Sequence, residues 1–129
     1  MTLAYLDTSA AMKLLVEEPE SESLVAALTA PGTRRLAASW LLHTELHCAA
    51  GRHPSVVDAH AVEVVLRAVD LVDLTRGDLI AAGTHAPLRS NDALHLVTAI
   101  RLGVDEVITY DEGLGAAASR AGLSVLAPA

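Results

Sequence analysis

The stretch EVITYDEGLGAAASRAGLSVL, residues Glu106–Leu126, decides how the fold is read. Glu106–Thr109 is a β-prone run, Asp111–Ala121 is an alanine-rich helical segment closed by Gly122, and Leu123–Leu126 is β-prone again. Two strands separated by a helix of about ten residues pair in parallel through a right-handed crossover. The same alternation recurs toward the N-terminus. Leu3–Leu6 is a short apolar run, Ser9–Val16 carries helical periodicity until Glu17-Glu18-Pro19, and Glu20–Ala30 is a second helix ended by Pro31-Gly32. Leu36–Ala38 reads as a strand, and Ser39 caps a helix running to about Ala50, with Gly51 just past its end. Pro54 takes a first helical position in a segment reaching Ala68, Val69–Leu74 alternates as a third strand, and Asp78–Ala82 is a short helix. Asn91–Leu102 is apolar almost all round, which predicts a buried helix ended by Gly103. The expectation is an α/β chain: a three-layer α/β/α sandwich with a central parallel sheet of about five strands. A ligand site then belongs beyond the carboxyl ends of the strands, near the topological switch point.

Composition narrows the functions available. The 129 residues fit a single domain over 1–129, and 52% hydrophobic residues with 19% charged exclude a disordered chain. There is no Phe, one Trp and two Tyr, so stacking of bases on aromatic rings is not the binding mode. The longest run without a charged side chain, Ser23–Thr33, is far short of a membrane span of roughly 18 residues, and Asp7 and Lys13 interrupt any leader-like segment. One cysteine, Cys48, excludes an internal disulfide and a cysteine-based zinc site, and reads as a small core residue. These features predict a soluble cytoplasmic protein with no membrane association. Sixteen acids against nine bases give a net charge of −7, whose field repels nucleic acid. A nucleic-acid partner needs a local reason to bind, such as bridging metal ions or a small arginine cluster.

Four acids fall where the site is expected. Asp7 directly follows the first strand and Asp111 follows the fourth, both at the carboxyl edge. Each has a plain alternative as a helix N-cap. Asp92 opens the most apolar helix behind Ser90 and Asn91, either of which can serve as the cap. Glu45 shares a helix face with Leu41, Leu42, Cys48 and Ala49. A carboxylate on an inward face is costly unless paired or bound to a cation, the alternative being a half-exposed helix flank. Four carboxylates drawn together repel, and hard divalent cations with oxygen ligands resolve the repulsion. Two such ions can activate water against a phosphodiester.

Tyr5-Leu6-Asp7-Thr8-Ser9-Ala10, an inward Glu45, Asn91-Asp92-Ala93-Leu94-His95-Leu96-Val97-Thr98-Ala99 and Val107-Ile108-Thr109-Tyr110-Asp111 follow one another in that order. Together they resemble the PIN domain, and specifically the VapC-type toxins of bacterial toxin–antitoxin pairs, over essentially the whole chain. The opening motif alone is weak, while Asp92–Ala99 at this distance from Asp7 is specific. The resemblance implies a three-layer α/β/α fold and Mg²⁺-dependent cleavage of RNA, with Mn²⁺ able to substitute. Carried over residue by residue, it makes Asp7 and Asp92 the principal metal ligands, completed by Glu45 and Asp111. Ser9 and Thr109 become the hydroxyls supporting the first and last acids. It further implies an antitoxin partner and homodimers that assemble with it. Glu112 is the one position for a further acid after Asp111, and it stays outside the main site.

Other motifs carry less. His43-Thr44-Glu45-Leu46-His47 differs from the zinc-protease helix, because its Glu lies about 200° round the helix from the first His. His43 and His47 could share a metal, or form a solvated or partner-facing flank. His95, one turn from Asp92, either orients that acid or packs. Glu17, Glu18, Glu20 and Glu22 read as a solvated helix start. Lys13, Arg34, Arg35 and Arg89 are the candidate bases for gripping RNA. Two rival functions stand beside the nuclease. One is an aspartate-based phosphatase or phosphotransferase, which usually carries a second Asp where this chain has Ser9. The other is a non-catalytic module that holds a partner.

Overall fold

In the computed structural model residues 1–32 and 34–129 are described, and Thr33, the end of the longest uncharged run, lies outside them. Five strands alternate with helices: β1 (Thr2–Leu6), α1 (Thr8–Leu15), α2 (Ser21–Thr29), β2 (Arg34–Ser39), α3 (Trp40–Arg52), α4 (Ala59–Arg67), β3 (Asp70–Val72), α5 (Arg76–Ala82), α6 (Ser90–Leu102), β4 (Glu106–Ile108), α7 (Glu112–Arg120) and β5 (Ser124–Leu126). The strands lie in the order β3-β2-β1-β4-β5, all parallel, with Tyr5 opposite Ala37 on one side and Val107 on the other. β1 is therefore the central strand. Ala4, Tyr5 and Leu6 have no solvent exposure, as befits a strand covered on both faces.

Helices α1–α4 pack against one another, and α5–α7 do the same, giving the two helical layers. The core is almost entirely aliphatic, built on Leu24, Leu42, Leu46, Leu96, Ile108 and Leu114, with alanines where helix meets sheet. In α6 every residue from His95 to Ala99 is buried, as its apolar sequence predicts. Gly103 ends that helix at φ 65°, a left-handed conformation that costs glycine little. No described helix is long and apolar enough to cross a membrane.

The order 3-2-1-4-5 places the switch point between β1 and β4. From β1 the chain winds outward to β2 and β3, then returns past β1 to start β4. The crevice opens at their carboxyl ends, where Asp7 and Asp111 follow.

Several boundaries differ from the sequence reading. Pro54 does not open a helix; α4 begins at Ala59, where the Asp58 side chain accepts from the Ala61 amide. Gly51 lies inside α3, which continues to Arg52. Neither Ser90 nor Asn91 caps α6: the cap position is Arg89 and carries no side-chain hydrogen bond. Cys48 is exposed rather than in the core, because the buried face of α3 is Leu42, Leu46, Ala49 and Ala50.

Candidate functional site

Asp7 is 2% exposed and does two jobs. Its Oδ1 accepts from the Ala10 amide at 3.0 Å, capping α1. The same carboxylate accepts from Ser9 Oγ at 2.8 Å and from Thr109 Oγ1 at 2.7 Å. Burial raises its pKa above the ordinary aspartate value, against the pull of these three donors. Thr109 Oγ1 also accepts from the Asp111 amide at 3.0 Å, and Ser9 Oγ from the Tyr110 amide at 2.9 Å. The two hydroxyls thus tie the end of β1 to the turn after β4. Asp111 caps α7, taking the Leu114 amide on Oδ1 at 2.7 Å. Capping does not exclude clustering: each acid takes a helix amide on one oxygen, and in Asp7 the other oxygen takes the Thr109 hydroxyl.

Glu45 comes from the other side of the crevice, on α3. Its Oε1 lies 2.7 Å from His95 Nε2 and accepts from Thr8 Oγ1 at 2.7 Å, while Oε2 accepts from Asn91 Nδ2 at 3.3 Å. Burial pushes its pKa up, but the bonds from His95, Thr8 and Asn91 outweigh that and leave it below the ordinary value. His95 holds Glu45 rather than Asp92. Its other nitrogen, Nδ1, is 2.7 Å from the Tyr5 hydroxyl, which accepts from the Ser39 amide at 3.0 Å. Burial drives the Tyr5 phenol up to about 12, so it keeps its proton and donates it to Nδ1. A buried chain Ser39–Tyr5–His95–Glu45 therefore fixes this carboxylate.

Asp92 is the exception. It stands in the first turn of α6 with no capping role, and no described residue hydrogen-bonds to its carboxylate. Its pKa is raised by burial first, then by the negative charges of Asp111 and Asp7, with Glu45 adding to them and His95 opposing. All four acids thus share one electrostatic neighbourhood. They do not converge tightly, since no three of them bring an oxygen each within 4.8 Å of one another. An all-oxygen donor set around an unbonded, charge-stressed carboxylate suits a hard divalent cation. Beside Glu45 opens a groove of about 520 Å³ lined by Thr8, Thr44, Arg52, His53 and Asn91.

A family model described as PIN domain matches residues 4–119. The chain belongs to the PIN-domain family. This PIN domain is 37% identical to Ribonuclease VapC46 of Mycobacterium tuberculosis, an alignment covering 99% of each protein. Among solved structures it resembles a toxin-antitoxin complex from Klebsiella pneumoniae (TM-score 0.71, 18% identity, 98% of each chain). It also resembles VapBC2 from Rickettsia felis bound to a DNA fragment from their promoter (TM-score 0.73, 14% identity, 97% of this chain and 98% of that one). At such identities these two likenesses speak for the fold.

The candidate RNA-gripping bases fare unevenly. Lys13 is bound by Glu18 and Glu20 at 2.7 and 3.0 Å, so that acidic run is partly neutralised rather than simply solvated. Arg34 pairs with Glu106 at 2.6 Å and Arg35 pairs with Asp70. Arg89 enters no ion pair among the described residues and stays in play. Sequence reading missed Arg52, Tyr5, Thr8 and Asn91. Arg52 had a signal: seven residues after Glu45, it returns to the same helix face. The partnerships of Tyr5, Thr8 and Asn91 had none.

Proposed function

We propose that this PIN domain is a metal-dependent endoribonuclease, the toxin of a toxin–antitoxin pair. In this reading Asp7, Glu45, Asp92 and Asp111 are the catalytic, metal-holding acids, and Ser9 and Thr109 support them. The observation that carries it is Asp92, a half-buried carboxylate with no hydrogen-bonding partner among the described residues, pressed by the charges of the other three. Like charges so placed cost free energy, and a cation converts that cost into affinity. The cation is Mg²⁺, with Mn²⁺ able to substitute; when bound, it makes water nucleophilic and stabilises the leaving oxygen of a phosphodiester.

The chain's own residues set the stage for that chemistry. Ser9, Thr109 and the Ala10 amide hold Asp7 in one orientation. The Tyr5–His95 pair, Thr8 and Asn91 hold Glu45 as a charged acceptor. Asp92, which accepts no hydrogen bond from a described residue, would be available to hold the ion. Two divalent ions would bring the net charge from −7 to −3, and Arg52 and Arg89 supply local positive charge for an RNA backbone. The mycobacterial relative, a ribonuclease, supports ribonuclease activity, and the structural neighbours, a toxin-antitoxin complex and VapBC2, support an antitoxin partner. We extend this to a homodimer assembling with antitoxin, acting in the cytoplasm as one domain over 1–129.

The test is cleavage of RNA by purified protein with Mg²⁺ or Mn²⁺, repeated in EDTA, for wild type, Asp7→Asn and Asp92→Asn. Metal-dependent cleavage lost in both folded variants is the expected result. Equal cleavage by variant and wild type at matched Mg²⁺ overturns the site. Hydrolysis of a phosphomonoester without RNA cleavage would favour an aspartate-based phosphatase, and neither activity would favour a binding module. Against the phosphatase stands Ser9, which occupies the position of the second acid and donates to Asp7.

A further inference from the structure

On the outer side of α3, away from the acid quartet, His43, His47 and Glu63 of α4 form a second cluster. Among the described residues it is the one group of three or more His, Cys, Asp or Glu side chains whose ligand atoms all lie within 4.8 Å of one another. His43 and His47 are one helical turn apart, with ring centroids 4.4 Å apart and planes inclined at 48°. His47 Nε2 lies 2.9 Å from Glu63 Oε1. That contact is not a hydrogen bond: the oxygen lies off the axis of the ring nitrogen, and Nε2 is left buried without a partner. Among the described residues Nε2 therefore makes no hydrogen bond, with the Glu63 carboxylate beside it rather than in line with it.

We propose that His43, His47 and Glu63 form a transition-metal site, with Zn²⁺ as its ion. Two imidazoles and one carboxylate with an open fourth position are a recurring zinc donor set. The 2.9 Å between Nε2 and Oε1 is near the separation of roughly 3–3.5 Å at which two donors about 2.1 Å from one ion sit. An oxygen displaced from the ring axis, which spoils a hydrogen bond, suits adjacent ligands on one centre. His43 and Glu63 need only rotate at the surface to complete the set. Donor chemistry separates this site from the quartet: nitrogen-rich sets favour zinc, nickel and copper, while the four carboxylates favour Mg²⁺ and Mn²⁺. The ion would clip α3, which carries Glu45, to α4.

Trp40 makes the proposal measurable. It is the chain's one tryptophan, and its ring centroid is 5.1 Å from that of His43. Tag-free protein in saturating Mg²⁺, which keeps the quartet occupied, is titrated with Zn²⁺ while Trp40 fluorescence is followed. Wild type should show a saturable change at one ion per chain, with the melting temperature raised on the order of 10 °C at a hundredfold excess over Kd. His47→Ala and Glu63→Gln should each weaken binding at least about tenfold and leave Mg²⁺-dependent cleavage unchanged. Asp92→Asn and Cys48→Ala should keep the Zn²⁺ response. The proposal is overturned by an unchanged response in His47→Ala, by no response up to millimolar Zn²⁺, or by loss of the response in Asp92→Asn or Cys48→Ala. Half an ion per chain would likewise overturn an intramolecular site.

Discussion

Tyr5→Phe removes a single oxygen from the centre of the molecule and should be expensive. The ring stays where it is, fully buried, so no cavity larger than a hydroxyl opens. What is lost is the acceptor of the Ser39 amide at 3.0 Å and the donor to His95 Nδ1 at 2.7 Å. Ser39 has no solvent exposure and His95 only 2%, which leaves water little access to replace either bond. Each orphaned buried group costs about 1–3 kcal/mol. At a middle value of about 2 kcal/mol each the sum is roughly 4 kcal/mol, on the order of 15 °C in melting temperature for a chain of this length. Tyr110→Phe is the matched control, since its hydroxyl donates to the Pro128 carbonyl from a half-exposed position near the chain end. That change should cost less than about 1 kcal/mol. Both variants are compared by thermal and urea unfolding in EDTA. If Tyr5→Phe melts within about 2 °C of wild type, the buried chain does not hold Glu45 as described. If it melts low but cleaves RNA at the wild-type rate, the chain serves stability alone.

Other perturbations follow from the same geometry. Because the folded pKa of Asp92 is raised, metal-free Asp92→Asn should be more stable than wild type at neutral pH. That advantage should fade as pH falls through the raised folded value toward the ordinary value of 3.8, where wild-type Asp92 is also neutral; melting scans across this window check it. Arg101 grips the buried Asp78 with two bonds of 2.9 Å, and holds that carboxyl below its usual range. Arg101→Ala should therefore cost about 2–3 kcal/mol in urea unfolding, somewhat less than a fully buried pair, since half-exposed Arg101 leaves room for water. At Gly113 a methyl group would sit 3.3 Å from Asp111 Oδ1. Gly113→Ala should thus gain up to about 1 kcal/mol of helix stability while slowing RNA cleavage several-fold, a split that melting and rate assays resolve together.

The α/β order was legible because each strand and helix announces itself locally, in apolar runs, in alanine-rich segments and at Gly103 and Gly122. The acids were legible for a similar reason: Asp7 and Asp111 follow strands, and parallel strands deliver such residues to one edge. Sequence set capping against clustering for these two, but in the fold each takes a capping amide on one oxygen. Helix periodicity placed Glu45 near the inward face without its partners. His95 is 50 residues away and reaches it only through α3–α6 contact, and Tyr5 is 90 residues from His95. Cys48 was misplaced by the same periodicity, being one position off the stripe of Leu42, Leu46, Ala49 and Ala50. The bases were the least legible, because Lys13, Arg34 and Arg35 look free in a sequence and are engaged once Glu18, Glu106 and Asp70 arrive beside them.

The central claim is that four carboxylates form one cation site, and thermal unfolding with and without Mg²⁺ tests it most directly. Mg²⁺ is the ion to use because it disregards the imidazoles of α3. At a hundredfold excess over Kd, wild type should gain about 2.7 kcal/mol, on the order of 10 °C. Asp92→Asn should melt above wild type without metal and lose most of the Mg²⁺ shift. A wild type indifferent to Mg²⁺, with Asp92→Asn merely less stable, would contradict the account and leave Asp7 and Asp111 as helix caps.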